Sequence, residues 1–431
     1  MELWAVATLV IFGMVFLFLF IGMPVAGGLG IAAIIGGILF LGKFGIAAYV
    51  PWEVADSFVL TAIPLFIFMG EVLLRSGLSI RLYDGAAAVL GRLPGGLLHA
   101  NIGSCAIFAA ISGSSLATAA TIGTVALPEL EKRGYENKIA CGSLAAGGTL
   151  GILIPPSISM IIIGAMTEQS IAKLFIAGVF PGIMLVGLFI SYIVVRVIIQ
   201  PQLAPPFETI PLKRRALNII RMWPVMVIML FVLGGIYLGV TTPTEAAAVG
   251  AFMAMVFALI YRKLNWLTLK ASMLGAVKIT AMLLFIIVGA MILSGMLGLL
   301  KVPFKMVAWV ASLPFPPLAI LIGIYIMYLF LGCFLDGLAL VVLTVPIVFP
   351  IIRALGFDTV WFAVALVILV ECCLLTPPVG TNVYVIHGLR PGRPMSEVIL
   401  GAMPFFFMML VGLAIITAFP IIATWLPGTM Y

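Results

Sequence analysis

Long apolar runs, separated by short polar stretches, follow one another along almost the whole chain. A membrane-spanning helix needs about 20 consecutive, mostly apolar residues, and both halves of the sequence contain several runs of this kind. We predict membrane spans at 4–21, 24–41, 57–74, 139–166, 174–199, 222–240, 243–261, 272–297, 360–388 and 397–426. The pattern therefore predicts an all-α polytopic membrane protein built from two five-span halves.

Two further apolar stretches, 97–130 and 317–350, are too long for one span and are interrupted near the middle. The first is broken by the polar run 112–115, and the second by Asp336 and Gly337. We predict a re-entrant helical hairpin in each stretch. Non-helical backbone at membrane depth is tolerated only where it is buried in protein or lines a wet cavity, so the two breaks indicate a binding site.

Prolines and glycines that interrupt the apolar pattern recur along the chain at an offset of 222 residues. Pro155-Pro156 in the first half corresponds to Pro377-Pro378 in the second, and Gly134 corresponds to Gly356. Each proline pair lies inside a predicted span, so the segments 139–166 and 360–388 are predicted to be broken helices. The spacing indicates an internal duplication, with 1–199 as the first repeat and 222–431 as the second.

Basic side chains predict how the two repeats are oriented, because lysine and arginine gather in cytoplasmic loops. With the amino terminus outside, fifteen of the 22 basic residues fall in inner loops, and the second half enters the membrane upside down as an inverted repeat. Five basic residues fall outside: Lys43, Lys173, Lys301, Lys305 and Arg353. Residues 200–221 then form a basic cytoplasmic connector, and both termini are predicted to be periplasmic.

Composition excludes several classes of function. Hydrophobic residues make up 64% of the chain and charged residues 9%, against roughly 25% charged in soluble domains. The net charge of +7 follows mostly from the loop bias, so no nucleic-acid partner is expected. No phosphate-binding loop motif occurs, and the five cysteines lack zinc-ligand spacing. We expect neither an enzyme nor an ATP-driven pump, and no cofactor.

Paired hairpins and broken helices in an inverted repeat are the plan of many secondary transporters, whose site lies near the bilayer midplane. Carbonyls freed at the two breaks, with nearby hydroxyls, suit a sodium ion. The half-helices that follow, at Ser157 and at Thr381-Asn382, direct positive dipole ends inward and favour an anion. An alternative is that these prolines and small residues only shape helix packing. An acid at membrane depth is costly, so Asp336 favours a functional role.

Two other acids have separate interpretations. Glu245 follows Pro243 at the start of a span, where we expect it to cap the helix. Glu371 lies in the second broken span, five residues before Thr376. It either binds a proton or an ion, or pairs with a basic group on a neighbouring span, and the sequence leaves both readings open.

Several strings, in order and at characteristic spacing, resemble those of the large membrane subunit of tripartite ATP-independent periplasmic (TRAP) transporters, the DctM-like proteins. They are Gly113-Ser114-Ser115-Leu116-Ala117-Thr118-Ala119, Leu127-Pro128-Glu129-Leu130, Gly151-Ile152-Leu153-Ile154-Pro155-Pro156-Ser157, Pro243-Thr244-Glu245-Ala246-Ala247-Ala248-Val249-Gly250 and Thr376-Pro377-Pro378-Val379-Gly380. The likeness covers essentially the whole chain, although the strings carry little information about the substrate.

The resemblance implies an elevator-type importer in the bacterial inner membrane that uses sodium as the coupling ion. Its substrate would be an organic acid anion such as a C4-dicarboxylate or a sialic acid. The family also implies two partners: a small four-helix membrane subunit, expected as a separate chain, and a periplasmic substrate-binding protein. A sodium/anion symporter that needs no binding protein, or a passive anion channel, remains the alternative.

The resemblance further implies that a sodium site forms where each hairpin break meets the broken helix of its own half. The first site takes Ser112, Ser114, Ser115, Gly151, Pro155, Pro156 and Ser157. The second takes Asp336, Gly337, Thr376, Pro377, Pro378, Gly380 and Thr381. Thr118 and Asn382 are the candidates for substrate binding. The second tip lacks the serines of the first, so backbone carbonyls are expected to dominate there.

Overall fold

The computed structural model describes residues 3–42, 45–205 and 211–430, and the regular structure in these ranges is helical. The first half contains α1 (Leu3–Phe20), α2 (Val25–Leu41), α3 (Ile46–Ala55), α4 (Ala62–Arg75), α5 (Leu78–Leu90), α6 (Leu97–Ser112), α7 (Ser115–Lys132), α8 (Asn137–Thr149), α9 (Ile158–Thr167) and α10 (Ile171–Ile199). The predicted connector contains α11 (Leu212–Ile220). The second half contains α12 (Trp223–Tyr237), α13 (Pro243–Ile260), α14 (Trp266–Leu299), α15 (Val302–Ala311), α16 (Pro317–Gly332), α17 (Gly337–Ala354), α18 (Thr359–Leu375), α19 (Thr381–Gly388), α20 (Met395–Ala418) and α21 (Ile421–Gly428).

Within the described ranges, five helices are long and apolar enough to cross a bilayer alone: α10, α13, α14, α17 and α20. The pairs α4–α5 and α11–α12 pass the same test together but bend by 77° and 41°. The remaining apolar helices are shorter, among them α1, α2, α16 and α18. The protein is therefore a multi-span membrane protein.

Two predicted spans differ from the observed helices: the run 397–426 is divided between α20, which ends at Ala418, and α21, which begins at Ile421. The apolar run 57–74 predicted a single helix, but α4 begins only at Ala62, and the chain turns at Gly77 into α5. Gly77 has a φ of +72°, a left-handed conformation that glycine adopts without steric cost. Two parts of the predicted topology cannot be compared with the structure. Lys43 and residues 206–210 of the connector lie outside the described residues.

Helix boundaries repeat with the same 222-residue offset as the prolines. α7 and α17 each contain 18 residues, from Ser115 to Lys132 and from Gly337 to Ala354, so both their first and their last residues are 222 apart. α8 and α18 begin at Asn137 and Thr359, again 222 apart. These equal offsets agree with the predicted duplication, which stays a prediction together with the inversion of the second half across the membrane.

The two halves exchange equivalent contacts. α2 packs on α14 while α13 packs on α4, and α7 packs on α19 while α17 packs on α9. α8 and α18 lie at the centre, where all residues of α18 from Trp361 to Leu375 are buried. Because each half contributes helices that cover the other, the breaks of both halves are held within one packed body.

Both predicted hairpins are helical pairs. α6 and α7 pack against each other across a two-residue turn at 113–114, and α16 and α17 across the turn 333–336. The start of α13 also agrees with the prediction. Thr242 and Glu245 form a reciprocal capping box there, which confirms the capping role of Glu245.

Candidate functional site

Hydroxyl groups of the first hairpin tip form hydrogen bonds within the tip itself. Gly113 adopts a φ of +60° and ends α6, and the Ser114 side chain then accepts a hydrogen bond from the backbone N–H of Ala117 to begin α7. Ser112 Oγ and Thr118 Oγ1 lie 2.8 Å apart, and Thr118 Oγ1 also donates to the Ser114 carbonyl over 2.8 Å. The tip is therefore a compact set of uncharged oxygens.

This tip lies directly against the broken span of its own half. The Ser115 hydroxyl donates to the carbonyls of Gly148 and Thr149, at 3.1 and 3.3 Å. A Cβ atom on Gly151 would lie 2.5 Å from the Ser114 carbonyl oxygen, and one on Gly113 would lie 2.7 Å from that of Pro156. Only glycine at these two positions allows the hairpin backbone to approach the break so closely.

The first break occurs at the predicted prolines. α8 ends in a short 3₁₀ turn over Leu150–Ile152, and the chain passes through a cis Pro155-Pro156 bond before α9. Ser157 caps α9 by accepting from the Met160 N–H at 3.3 Å, and its hydroxyl donates to the Ile152 carbonyl. The whole turn is largely buried, so its carbonyl groups face protein rather than bulk solvent.

The second tip is built differently. Asp336 is half-buried and caps α17 by accepting from the Leu338 N–H at 3.2 Å. Gly332 and Gly337 bring the hairpin close to α18, where added Cβ atoms would overlap the Cys373 sulfur and approach Val370 Cγ1 to 2.6 Å. The carboxylate is thus the one acidic group at either hairpin turn.

The second break also occurs at its predicted prolines, around a cis Pro377-Pro378 bond. Thr376 Oγ1 donates to the carbonyls of Cys372 and Cys373 at 3.3 and 3.2 Å, and the Gly380 N–H donates to the Thr376 carbonyl at 2.9 Å. Pro377 and Pro378 are exposed, whereas Pro155 and Pro156 are buried. The two breaks therefore share a position in the repeat but differ in their access to the surroundings.

Asn382 connects the second break to the first site. Its Nδ2 donates to the Ala145 carbonyl on α8 at 3.1 Å, and it lies against Gly148, whose carbonyl accepts from Ser115. The Oδ1 atom of Asn382 and the hydroxyl of Thr381 are buried without a hydrogen-bond partner among the described residues. Asn382 and Ser115, which were predicted from separate parts of the chain, therefore both contact the end of α8.

The two candidate substrate residues differ in their free bonding capacity. Thr118 is fully buried, and its hydroxyl is occupied by Ser112 and the Ser114 carbonyl. Asn382 keeps an unpaired acceptor, which suits a donor group of a ligand. Their roles in substrate binding stay predictions. Within the described ranges, no group of three or more His, Cys, Asp or Glu side chains is placed to hold a metal ion.

Glu371 is one of two features whose surroundings the sequence did not reveal. Its side chain is fully buried, and neither carboxylate oxygen has a hydrogen-bond partner in the described part of the chain. Pairing with a basic group on a neighbouring span is therefore not observed. The signal in the sequence was an acid inside an apolar run, but the run does not identify its neighbours.

The other is an ion-pair network around the buried Arg390, beyond the end of α19. Its Nε donates to Glu131 at 2.9 Å, and its Nη1 donates to Glu397 at 3.0 Å and to the Cys141 sulfur at 3.1 Å. The arginine side chain is only 3% exposed. The network joins α7, α8 and α20 to the segment after α19, and it was missed because Glu131 and Arg390 are 259 residues apart.

The 222-residue offset relates two charged residues of this network to a pair of residues with reversed charges that line a cavity. Glu131 corresponds to Arg353, and Arg390 corresponds to Glu168. Both counterparts line a cavity of about 530 Å³ together with Ser294 of α14. Equivalent ends of the two repeats thus carry opposite charges, with one pair closed in a salt bridge and the other lining a cleft.

Comparison with known proteins identifies relatives over nearly the full length. The family described as the tripartite ATP-independent periplasmic transporter, DctM component, matches residues 12–422. The C4-dicarboxylate TRAP transporter large permease protein DctM of Pseudomonas aeruginosa is 36% identical over 88% of this chain and 88% of its own. The isethionate TRAP transporter permease protein DctMQ of Oleidesulfovibrio alaskensis is 34% identical over 97% of this chain and 66% of its own.

A solved structure shares the fold. The crystal structure of the Alcanivorax borkumensis YdaH transporter superposes with a TM-score of 0.63, at 15% identity, over 90% of this chain and 88% of that one. At this level of identity the likeness bears on architecture alone.

Proposed function

Because the chain belongs to the DctM component family of tripartite ATP-independent periplasmic transporters, we propose that it imports an organic acid anion in symport with sodium ions. It is a membrane transport protein and not an enzyme. The proposal rests on one observation above all: the first hairpin tip presents an uncharged cluster of hydroxyl and carbonyl oxygens directly against an unwound stretch of helix.

The oxygen groups of the first hairpin tip and break support a small monovalent cation as the ligand there. The hydroxyl groups of Ser112 and Thr118 lie at the tip with the Ser114 carbonyl, and the Ser115 hydroxyl contacts carbonyls at the end of α8; none of these groups is ionised. Oxygen ligands suit hard cations, and unwound backbone carbonyls coordinate sodium in many secondary transporters. Asp336 would supply the negative charge that the first site lacks, so we propose unequal sodium sites in the two halves.

We propose that the anionic group of the substrate lies near the beginnings of α9 and α19. The N–H groups of a helix start carry partial positive charge, and the buried Oδ1 of Asn382, which has no partner among the described residues, would accept a hydrogen bond from a hydroxyl group of the substrate. The names of the relatives include a dicarboxylate and a sulfonate, both of which are small organic anions. The substrate class proposed is accordingly a small carboxylate or related acid.

We further propose the setting in which transport occurs. The chain would lie in the bacterial inner membrane with both termini in the periplasm, as an inverted repeat whose hairpins and broken helices move together as an elevator. A small four-helix membrane subunit and a periplasmic binding protein would complete the transporter. Family membership supports these partners.

Uptake by reconstituted vesicles tests the proposal. The chain, its small subunit and a binding protein loaded with labelled dicarboxylate should accumulate substrate inside vesicles only when sodium is higher outside. ATP inside the vesicles should have no effect. Equal uptake with potassium in place of sodium would contradict sodium coupling, and full uptake without the binding protein would contradict the proposed partner while leaving symport intact.

A further inference from the structure

The short helix α11 has two chemically distinct faces. Leu212, Ile219 and Ile220 lie along one side of the helix and are 75%, 41% and 63% exposed. At 100° per residue, Arg214 and Arg221 lie on the opposite side. The helix meets α12 at an angle of 41°. An exposed apolar face opposite a basic face is typical of a helix that lies in the membrane surface.

α11 packs on α5, the helix that leads into the first hairpin. The contact depends on Gly85, since a Cβ atom there would overlap the sulfur of Met222 and lie 3.2 Å from the Asn218 carbonyl. α5 itself bends away from α4 by 77°. Two short helices therefore lie side by side, each at an angle to the membrane helix next to it.

A polar cavity of about 240 Å³ lies between these helices, lined by Arg81, Asp84, Asn218 and Arg221. The Arg81 guanidinium carbon is 3.9 Å from the centre of the Tyr261 ring, which holds this side chain in place. Two arginines against one aspartate leave an excess of positive charge. Guanidinium groups bind phosphate oxygens in pairs of parallel hydrogen bonds, so the lining suits a phosphodiester.

A second cavity, of about 780 Å³, repeats this chemistry near the other end of α5. Arg92 and Arg215 line it, together with the turn Pro94–Gly96. All four arginines belong to loops or surface helices that the charge distribution predicts to be cytoplasmic. In the predicted orientation, these arginines lie on the cytoplasmic side of the membrane, where anionic lipid headgroups are found.

We propose that α5 and α11 bind the headgroup of an anionic glycerophospholipid of the inner leaflet. Arg81 and Arg221 would hold the phosphodiester, while the acyl chains would follow the exposed apolar face of α11. Basic pockets between helices on the cytoplasmic side are a recurrent form of anionic-lipid site. Because α5 continues into the first hairpin, the bound lipid would fasten the leading helix of the hairpin to α11.

The response of the purified transporter to added lipid tests this site without reference to transport. Phosphatidylglycerol should raise the Tm of the detergent-solubilised protein at lower concentration than phosphatidylcholine does. Replacing both Arg81 and Arg221 with Gln should increase the half-saturating phosphatidylglycerol concentration at least fivefold. The matched control, Lys263→Gln with Lys270→Gln, removes the same charge from exposed positions on the same predicted side and should retain the response.

A variant with the opposite expected effect on the lipid response provides a second test of the site. Asp84→Asn removes the only acid among the described residues that line the cavity, so it should strengthen the phosphatidylglycerol response. If the double arginine variant does not fold, Asp84→Asn decides, and an unchanged or weaker response overturns the site. An equal response to phosphatidylcholine, or equal losses in the arginine and lysine variants, would also overturn it.

Discussion

At the scale of single residues, the proposed first sodium site depends on a close approach between two backbone segments. Gly151 leaves no room for a side chain, because the carbonyl of Ser114 lies where a Cβ atom would be placed. Glycine is recognisable in the sequence, but its necessity here is not, because the requirement comes from a contact with a hairpin more than thirty residues away.

The first prediction concerns Gly151→Ala. The added methyl group should push the hairpin tip from the break at an energetic cost of about 1–3 kcal/mol. We expect the sodium concentration for half-maximal uptake to rise about fivefold or more, since about 1.4 kcal/mol corresponds to a factor of ten. Gly187→Ala is the matched control, because no atom of the described residues lies within 4 Å of its Cβ position. An unchanged sodium requirement in Gly151→Ala would contradict the site.

The second prediction separates the charge of Asp336 from its capping bond. Asn caps helices as well as Asp does, so Asp336→Asn should retain the Tm of the native protein. If the charge contributes to sodium binding, this variant should still weaken sodium-driven uptake strongly. Asp358, which caps α18 by accepting from Trp361, provides the control: Asp358→Asn should transport normally. Normal sodium dependence in Asp336→Asn would assign Asp336 to capping alone.

At the scale of helices, apolar length and proline spacing predict most of what is observed. The breaks at Pro155-Pro156 and Pro377-Pro378 lie where the sequence indicates, since proline disrupts helices through its own ring and missing N–H. The short helices α3, α5 and α15 were not predicted. They are too short to register as spans, and α5 carries Arg81 and Asp84, so their positions depend on packing rather than on local hydropathy.

The third prediction uses the reversed-charge pairs of the two repeats. Arg390→Gln leaves Glu131 and Glu397 without their buried partner, and should lower stability by about 1–3 kcal/mol, less than for a fully buried pair because both acids are partly exposed. Arg353→Gln, which removes an exposed arginine at the position equivalent to Glu131, should leave the Tm nearly unchanged. Equal Tm losses in both variants would mean that the Arg390 network stabilises the protein no more than the exposed Arg353 does.

At the scale of the whole molecule, the two halves are interleaved, as the exchange of α2, α4, α13 and α14 illustrates. The sequence predicts the duplication from aligned prolines, but the cross-half contacts of Asn382 and Arg390 are beyond it, because nothing local encodes a partner more than 230 residues away. The orientation in the membrane rests on charge distribution and is open to direct measurement.

The fourth prediction is topological. In whole cells, an impermeant thiol reagent should label Lys173→Cys at the predicted outer surface and leave Arg214→Cys on α11 unlabelled. Both native side chains are exposed, whereas four of the five native cysteines are buried and Cys333 is half-buried. The Cys333→Ser background removes that remaining site. Reversed labelling would mean that the orientation is opposite to the one predicted.

The central claim, that sodium and an organic anion cross together through this chain, is tested most directly by sodium entry driven by the substrate. Vesicles with equal sodium on both sides, containing the complete transporter and radioactive sodium outside, would receive binding protein loaded with dicarboxylate. The account predicts that sodium enters in a fixed ratio to the substrate, and that Gly151→Ala lowers this entry while Gly187→Ala does not. Substrate entry with no accompanying sodium would contradict it.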